Sequence, residues 1–377
     1  MFEIIEDPKN IVKIKLVGIG GAGCNTINFA IEDGIKGVET IAVNTDLQIL
    51  SKNLSPNKFQ IGEKLTNGHG AGGDPEIGRK AAEDAREEIR ELLKDADMVF
   101  LTCGEGGGTG TGATPIFAEE AKNLNALVVA VVSKPWSSEG KRRMDNALMG
   151  IEELRMRVDT LIVISNDRLL SIVPKNMPAN ESLRFGNETL FNAIKGIVEI
   201  ITIPGIINVD FADVRTVMSE KGAAVIGMGI AENENRAVEA ATRAISSPLL
   251  DDLSIKGARG LLINIGGGED LSMTEINEAT NLIYTATESE PYLIPGFFQD
   301  PSINGKVKVT VIATGLKDKT IPTSSEIPDL GAFQSTKSDI ERPTFIRLDK
   351  NRERTTKKIE IDENNLEIPT FLRKQID

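Results

Sequence analysis

The sequence predicts an α/β protein in two packed parts, followed by a tail that does not pack. Three observations carry this. Short, mainly apolar runs recur through the first 316 residues and alternate with helical stretches, the pattern of a parallel sheet buried on both faces. Between the two parts lies one stretch with helical spacing that is apolar on more than one side. The charge is also uneven: 43 basic and 56 acidic residues give the 377-residue chain a net charge of −13. Lys317–Asp377 holds twelve of each sign, so the whole excess lies before it.

Taken in order, Val12–Gly18, Thr40–Val43, Met98–Thr102, Leu127–Val132 and Thr160–Ile164 read as buried strands. Pro75–Lys94 and Thr114–Lys122 read as helices between them, and together they make a first domain over 1–186. A helix is expected over 187–203, with apolar residues at 190, 191, 194, 197, 198 and 201 and Pro204-Gly205 to end it. Its two apolar sides suit a place between domains. A loop and helix over 204–221 lead to a smaller α/β domain over 222–316. That domain carries apolar runs at Gly260–Ile265 and Lys306–Thr314 and a helix near Thr274–Tyr284. The remainder, rich in Lys, Thr, Ser and Glu, cannot bury enough surface to offset its ordering entropy. It is expected to be a disordered linker over 317–360 and a short peptide over 361–377.

Composition excludes several functions. One histidine, His69, and two cysteines, Cys24 and Cys103, rule out a disulfide scaffold and a Cys/His zinc site, and leave almost no room for Ser-His-Asp catalysis. An acidic chain repels nucleic acid and anionic membrane. No apolar run approaches the roughly 18 residues of a membrane span, and the acidic start lacks a signal peptide's layout. These features predict a cytoplasmic protein with no direct membrane insertion.

The chemistry lies in the glycines. The first strand runs into Gly18-Ile-Gly-Gly-Ala-Gly-Cys-Asn25, where glycines 18, 20 and 23 satisfy the G-x-G-x-x-G spacing. That spacing lets backbone approach a diphosphate at a helix N-terminus. Asp46 ends the next strand where a ribose-binding acid would stand, so a monomeric Rossmann-type NAD(P)-dependent oxidoreductase is one reading. Two further loops change the balance: Gly68-His-Gly-Ala-Gly-Gly-Asp-Pro75 and Gly104-Glu-Gly-Gly-Gly-Thr-Gly-Thr-Gly112. In the second, several N–H groups and the hydroxyls of Thr109 and Thr111 could face one anion. Dinucleotide folds need no such second loop, whereas a nucleoside triphosphate would use both. The lysine of a P-loop is absent. His69 reads as a loop residue and Cys24 as a small packed one, although alkylation at Cys24 could block the loop.

Gly106-Gly-Gly-Thr-Gly-Thr-Gly112 is the signature of the tubulin-like GTPases, and the chain resembles the FtsZ cell-division family among them over about residues 10–316 and again at its last ten or so. The resemblance includes Gly20–Asn25, Ala42-Val-Asn-Thr-Asp46, Gly70-Ala-Gly-Gly-Asp-Pro75, Lys134-Pro135, Glu139-Gly-Lys-Arg-Arg143, Asn166-Asp167 and Asn208-Val-Asp-Phe-Ala-Asp-Val214. It implies a tubulin/FtsZ-like fold, with a parallel-sheet GTP-binding domain, a central connecting helix and a smaller C-terminal α/β domain. It also implies a GTPase that builds the division ring at midcell.

The resemblance assigns Gly20, Gly21, Ala22, Gly23, Cys24 and Asn25 to the phosphate and ribose side of GTP or GDP. Gly70, Ala71, Gly72 and Gly73 would close over the γ-phosphate. Gly107, Gly108, Thr109, Gly110, Thr111 and Gly112 would hold the α/β region. Glu139 matches the ribose contact, Arg143 and Asn166 border sugar and base, and Asn187 reads the guanine edge, which suits an amide that donates and accepts. The family's guanine-stacking aromatic falls at Leu183, with Phe185 two residues later. Either the loop is re-registered so that Phe185 stacks, or stacking is weakened. In the family the catalytic acids are supplied by the next subunit, and the matching residues here are Asp210 and Asp213 with Asn208 nearby. Asp210 or Asp213 also fits plain helix capping. Mg²⁺ is expected on phosphate oxygens and water rather than in a protein cage.

The chain ends Glu367-Ile-Pro-Thr-Phe-Leu-Arg-Lys-Gln-Ile-Asp377, which resembles the family's peptide for an FtsA-like membrane tether. Ile368, Pro369, Phe371, Leu372 and Arg373 are its expected contacts, presented as a short helix in a groove. Arg342-Pro-Thr-Phe-Ile-Arg-Leu-Asp349 repeats the Pro-Thr-Phe-(Ile/Leu)-Arg pattern 26 residues upstream.

Overall fold

The apolar runs become strands because alternate residues of each feed two different cores. In the computed structural model, which describes residues 12–170, 176–202, 209–232, 234–247, 250, 254–300 and 303–316, β1 (Ile14–Ile19), β2 (Val38–Asn44), β3 (Asn57–Gln60), β4 (Met98–Gly104), β5 (Leu127–Lys134) and β6 (Thr160–Ser165) are all parallel. Their spatial order is β3-β2-β1-β4-β5-β6. Leu16, Phe100, Val129 and Val131 point to one core, Val17, Val99, Leu101 and Val128 to the other.

The first core is closed by α1 (Gly20–Glu32), through Ile27 and Ala30, and by a long helix further along the chain. The second is closed by α4 (Pro75–Glu83), α5 (Arg86–Leu93), α6 (Thr109–Asn123) and α7 (Lys141–Arg155), which follow the short α2 (Leu47–Lys52) and α3 (Glu63–Thr66). The single helix expected over Pro75–Lys94 is broken at Asp84-Ala85. The first half packs backbone-close on α6, where Gly78 leaves space for the Gly108 carbonyl. The second half must turn to keep Ile89 and Leu93 buried while Arg86 and Arg90 reach Glu119 and Glu120.

The helix expected over 187–203 runs over Ala179–Thr202, after the short α8 (Asn166–Leu170), and is α9. Its apolar sides face both ways. Phe191, Ile194, Ile197 and Val198 lie in the first core, while Gly196 sits against Thr310 and Lys308 reaches Glu199 at 2.8 Å. Beyond it, α10 (Phe211–Met218) leads into β7 (Ala223–Ala231), β8 (Gly260–Gly267), β9 (Tyr292–Gln299) and β10 (Val307–Leu316), which continue the sheet as β7-β10-β8-β9. There β10 is antiparallel to β7 and β8, and α11 (Arg236–Ile245) and α12 (Met273–Ala286) cover the outer face. No helix among the described residues is long and apolar enough to cross a membrane. Asn208, the Pro204-Gly205 stop, the linker, and the peptide residues Ile368, Pro369, Phe371, Leu372 and Arg373 lie outside the described residues.

Candidate nucleotide-binding site

In the parallel part of the sheet the chain reverses its lateral direction between β1 and β4, and a crevice opens at the carboxyl ends of such strands. Both strands lead there into helix starts. Gly20 opens α1 and Gly108 precedes α6, and neither N-terminus has a side-chain cap, so their first amides are available to an anion. Gly20 has φ 75°, and a Cβ on it would stand 3.0 Å from the Gly110 nitrogen. The two helix starts therefore meet backbone to backbone, which only glycine permits.

Two compartments adjoin at this rim. One, of ≈ 330 Å³, is lined by Gly21, Ala22, Asn25, Glu139, Asn166 and Asn187, among others. The other, of ≈ 460 Å³, is lined by Gly72, Gly73, Gly107 and Gly108 together with Arg142 and Asn146. Glu139 and Arg143 face both. The Glu139 carboxylate accepts from the Trp136 amide at 2.9 Å and pairs with Arg143 at 2.8 Å, which fixes both side chains on the shared wall. Asn187, which lines the first compartment, donates to the Leu183 carbonyl at 3.0 Å.

Other residues expected at the nucleotide also hold the loop together. Gly23 packs on the Thr102 carbonyl, and Gly112 packs on that of Pro75. The Gly110 Cα faces the Gly104 carbonyl. Cys24 is buried in the first core, with its thiol 3.6 Å from the Val43 carbonyl and pushed up to about 11 by burial. The two threonine hydroxyls do not turn to an anion as expected. Thr111 accepts from the Gly106 amide at 2.8 Å, and Thr109 bonds Thr45 at 2.7 Å, so both staple the glycine loop from within. Ala71 is buried beside Gly108, whereas Gly72 and Gly73, at φ 59° and 76°, stand free of neighbours. The Gly70–Gly73 loop is pinned at its base by a bridge between Asp46 and the exposed His69.

Leu183 and Phe185 point to different surroundings. Residues 183–187 lie within α9, so there is no re-registered loop; Phe185 packs against the first core and Leu183, 56 % exposed, faces the cleft. Sequence reasoning missed Trp136, the chain's one tryptophan, which lines the cleft. Its place directly after β5, at the carboxyl rim, was the available signal.

The acids are elsewhere. Asp210 precedes α10 and Asp213 is in its first turn; Asp210 makes no side-chain cap, and Asp213 accepts from the Tyr292 hydroxyl at 3.3 Å. Arg215 of the same helix donates to the carbonyls of Asp97 and Asn125, which immediately precede β4 and β5 at their amino ends. Seven residues of β4 at roughly 3.3 Å each put that rim about 20 Å from the glycine loops. Neither aspartate lines either compartment. Among the described residues, no three His, Cys, Asp or Glu side chains gather at metal-binding distance.

The strand order alone would also suit a dinucleotide enzyme, but Asp46, the residue expected to hold its ribose, is an N-cap that accepts from the Gln48 and Ile49 amides. The comparisons agree. The family model described as "Tubulin/FtsZ family, GTPase domain" matches residues 13–174, and "FtsZ family, C-terminal domain" matches 222–317. The chain is 45 % identical to the cell division protein FtsZ of Coxiella burnetii over 99 % of both chains. Its structure resembles an empty FtsZ dimer from M. jannaschii, with TM-score 0.76 and 48 % identity over 81 % of this chain and 88 % of that one. A CetZ2 protofilament from Haloferax volcanii, at 23 % identity and TM-score 0.68 over 81 % and 94 %, shares the fold. The chain therefore belongs to the FtsZ family of tubulin-like GTPases and is a GTP-dependent protein of the cell-division cytoskeleton.

Proposed function

We propose that this GTPase hydrolyses its nucleotide between adjacent subunits of a head-to-tail filament. The observation that carries this is the placement of Asp210 and Asp213 on the rim opposite the glycine loops. A subunit then binds GTP at one end and offers acids at the other, and a heterologous contact of that kind propagates into an open filament. Gly20–Asn25, Gly70–Gly73 and Gly107–Gly112 form the phosphate cradle, some through amides and some by allowing close packing. Glu139 holds the ribose, Arg143 and Asn166 border sugar and base, and Asn187 reads guanine. Asp210 and Asp213, with Asn208, orient and polarise the attacking water of the neighbour's site. Mg²⁺ would be held mainly by phosphate oxygens and water rather than by a protein cage, and would supply neutralisation of phosphate charge, which suits a rim whose Glu139 is already paired.

The filament is assigned to the midcell ring. Its tail, through Ile368, Pro369, Phe371, Leu372 and Arg373, engages an FtsA-like tether, and the copy at 342–349 adds a weaker contact that raises effective concentration. The working division keeps a GTP-binding part, the connecting helix α9, the loop and helix up to 221 and the C-terminal part over 222–316, then linker and peptide. Light scattering and phosphate release on one sample with GTP, GDP or NAD⁺ in Mg²⁺ buffer test the core of this. Scattering is expected only with GTP, with turnover per subunit rising with protein concentration. Constant turnover from nanomolar to micromolar protein would sink the shared site.

A further inference from the structure

Glu105 is the one acid inside the glycine loop, and no step of hydrolysis uses it. It follows β4, its amide donates to the Ser133 carbonyl, and its side chain is only 2 % exposed. One carboxyl oxygen, Oε1, lies 3.4 Å from the Cys103 thiol. The other, Oε2, is buried without a hydrogen-bond partner and points at α7, where only the lack of a side chain on Gly150 makes room for it and for the Thr111 methyl. The Thr111 hydroxyl in turn holds the Gly106 amide at 2.8 Å, and Gly106 lies against the Arg143 carbonyl. The carboxyl is thus a wedge beneath the loop, tied through Thr111 to the amides that face the phosphates.

Among the described residues, no cation pairs with it. On its own strand the neighbour is the Cys103 thiol, which burial keeps protonated. From α7 it faces Glu153, whose charge is taken by Arg79 and Arg157. Arg143, also on α7, is paired with Glu139. α6 contributes Thr111 and β5 contributes Ser133, neither of them charged. Burial, reinforced by the Glu153 charge, pushes the carboxyl up to about 7 against the pull of the Cys103 thiol and the Thr111 hydroxyl.

We propose that Glu105 is a proton-dependent latch on the nucleotide loop: uncharged, it seats Gly104–Gly108 between α6 and α7, and once ionised it loosens that loop and weakens nucleotide binding. This rests on the nucleotide site proposed above. A bound polyphosphate disfavours a second negative charge beneath it and so raises the proton affinity of Glu105 further. By linkage, affinity then falls as the pH rises through the range where the free protein ionises but the complex does not. If the complex holds the proton one unit more tightly, the loss between pH 6 and 9 is about tenfold.

The test is GDP affinity of the full chain, read by Trp136 fluorescence from pH 6 to 9, with hydrogen exchange of the 104–112 segment beside it. The wild type is expected to lose affinity with rising pH and gain exchange beyond the intrinsic pH effect. Glu105→Gln, which keeps the shape without the ionisation, is expected to show neither. Identical profiles in both proteins, or a flat wild-type profile, would overturn the latch while leaving the nucleotide site intact. Absence of GDP binding at any pH would overturn the site itself. Should Glu105→Gln fold poorly, Glu105→Met and the wild-type profile decide the matter.

Discussion

The two rims of the parallel sheet are built from opposite chemistry. At the carboxyl rim, glycine amides are left open at two helix starts, and the carboxylates are engaged elsewhere. Asp46 and Asp74 cap helices, Glu139 is paired with Arg143, and Glu105 is buried. At the amino rim the backbone is ordinary, and Asp210 and Asp213 keep their side chains off the helix start that they flank. Among the described residues, the two compartments of the first rim have open amides and no carboxylates besides the buried Glu105 and the paired Glu139, whereas the second rim presents Asp210 and Asp213. On the proposed reading, separating the two would make hydrolysis depend on contact between subunits.

The largest effect should come from breaking the acidic rim alone. Asp213→Ala is expected to keep GTP affinity within about twofold and to lose turnover by about 10²–10⁴-fold, the usual scale for a general base. Asp213→Ala subunits mixed with a variant that cannot bind nucleotide should recover some phosphate release, since each supplies what the other lacks. If Asp213→Ala loses GTP binding, or the mixture stays silent, the two rims are not divided as argued.

The next prediction sorts glycines within the carboxyl rim. A methyl on Gly112 would enter the Pro75 carbonyl where α4 and α6 touch, so Gly112→Ala should cost about 3 kcal/mol or more in urea unfolding. Gly72 has open space and only its φ of 59° to object, so Gly72→Ala should cost about 1 kcal/mol and act mainly on GTP affinity. Equal stability losses would remove the distinction between glycines that pack and glycines that bind.

That distinction marks what could be read in advance. Buried strands are mainly apolar, so β1, β2, β4, β5 and β6 were visible as runs; β3, with Asn57, Lys58 and Gln60, sits at the sheet's edge and carries no such signal. The glycine motifs located the site, because strand-to-helix turns with open amides need glycine wherever they occur. They could not tell which glycine faces a ligand and which faces Pro75, because a missing side chain looks the same in sequence whichever neighbour fills the gap. Thr109 and Thr111 misled for the same reason: a hydroxyl's direction is set by Thr45 and the Gly106 amide, and only the fold brings Thr45 to that place.

The smallest predicted effect concerns the base end of the cleft, where a single side chain replaces an aromatic plane. Leu183 projects from α9 into the cleft with more than half its surface free, while Phe185 is spent on the core. A leucine offers a base apolar contact without the offset-stacking term, worth about 0.5–1.5 kcal/mol for aromatic pairs. Leu183→Phe should therefore tighten GTP and GDP together by about threefold to tenfold, leaving turnover at saturating GTP unchanged. Uniform binding of that sort lowers KM without touching kcat. Phe185→Leu should do the reverse, lowering stability and leaving affinity alone, because its ring contacts α9's own core. If Phe185→Leu weakens nucleotide binding while Leu183→Phe changes nothing, the base stacks on residue 185 after all. The helix would then have to unwind near its start when GTP arrives.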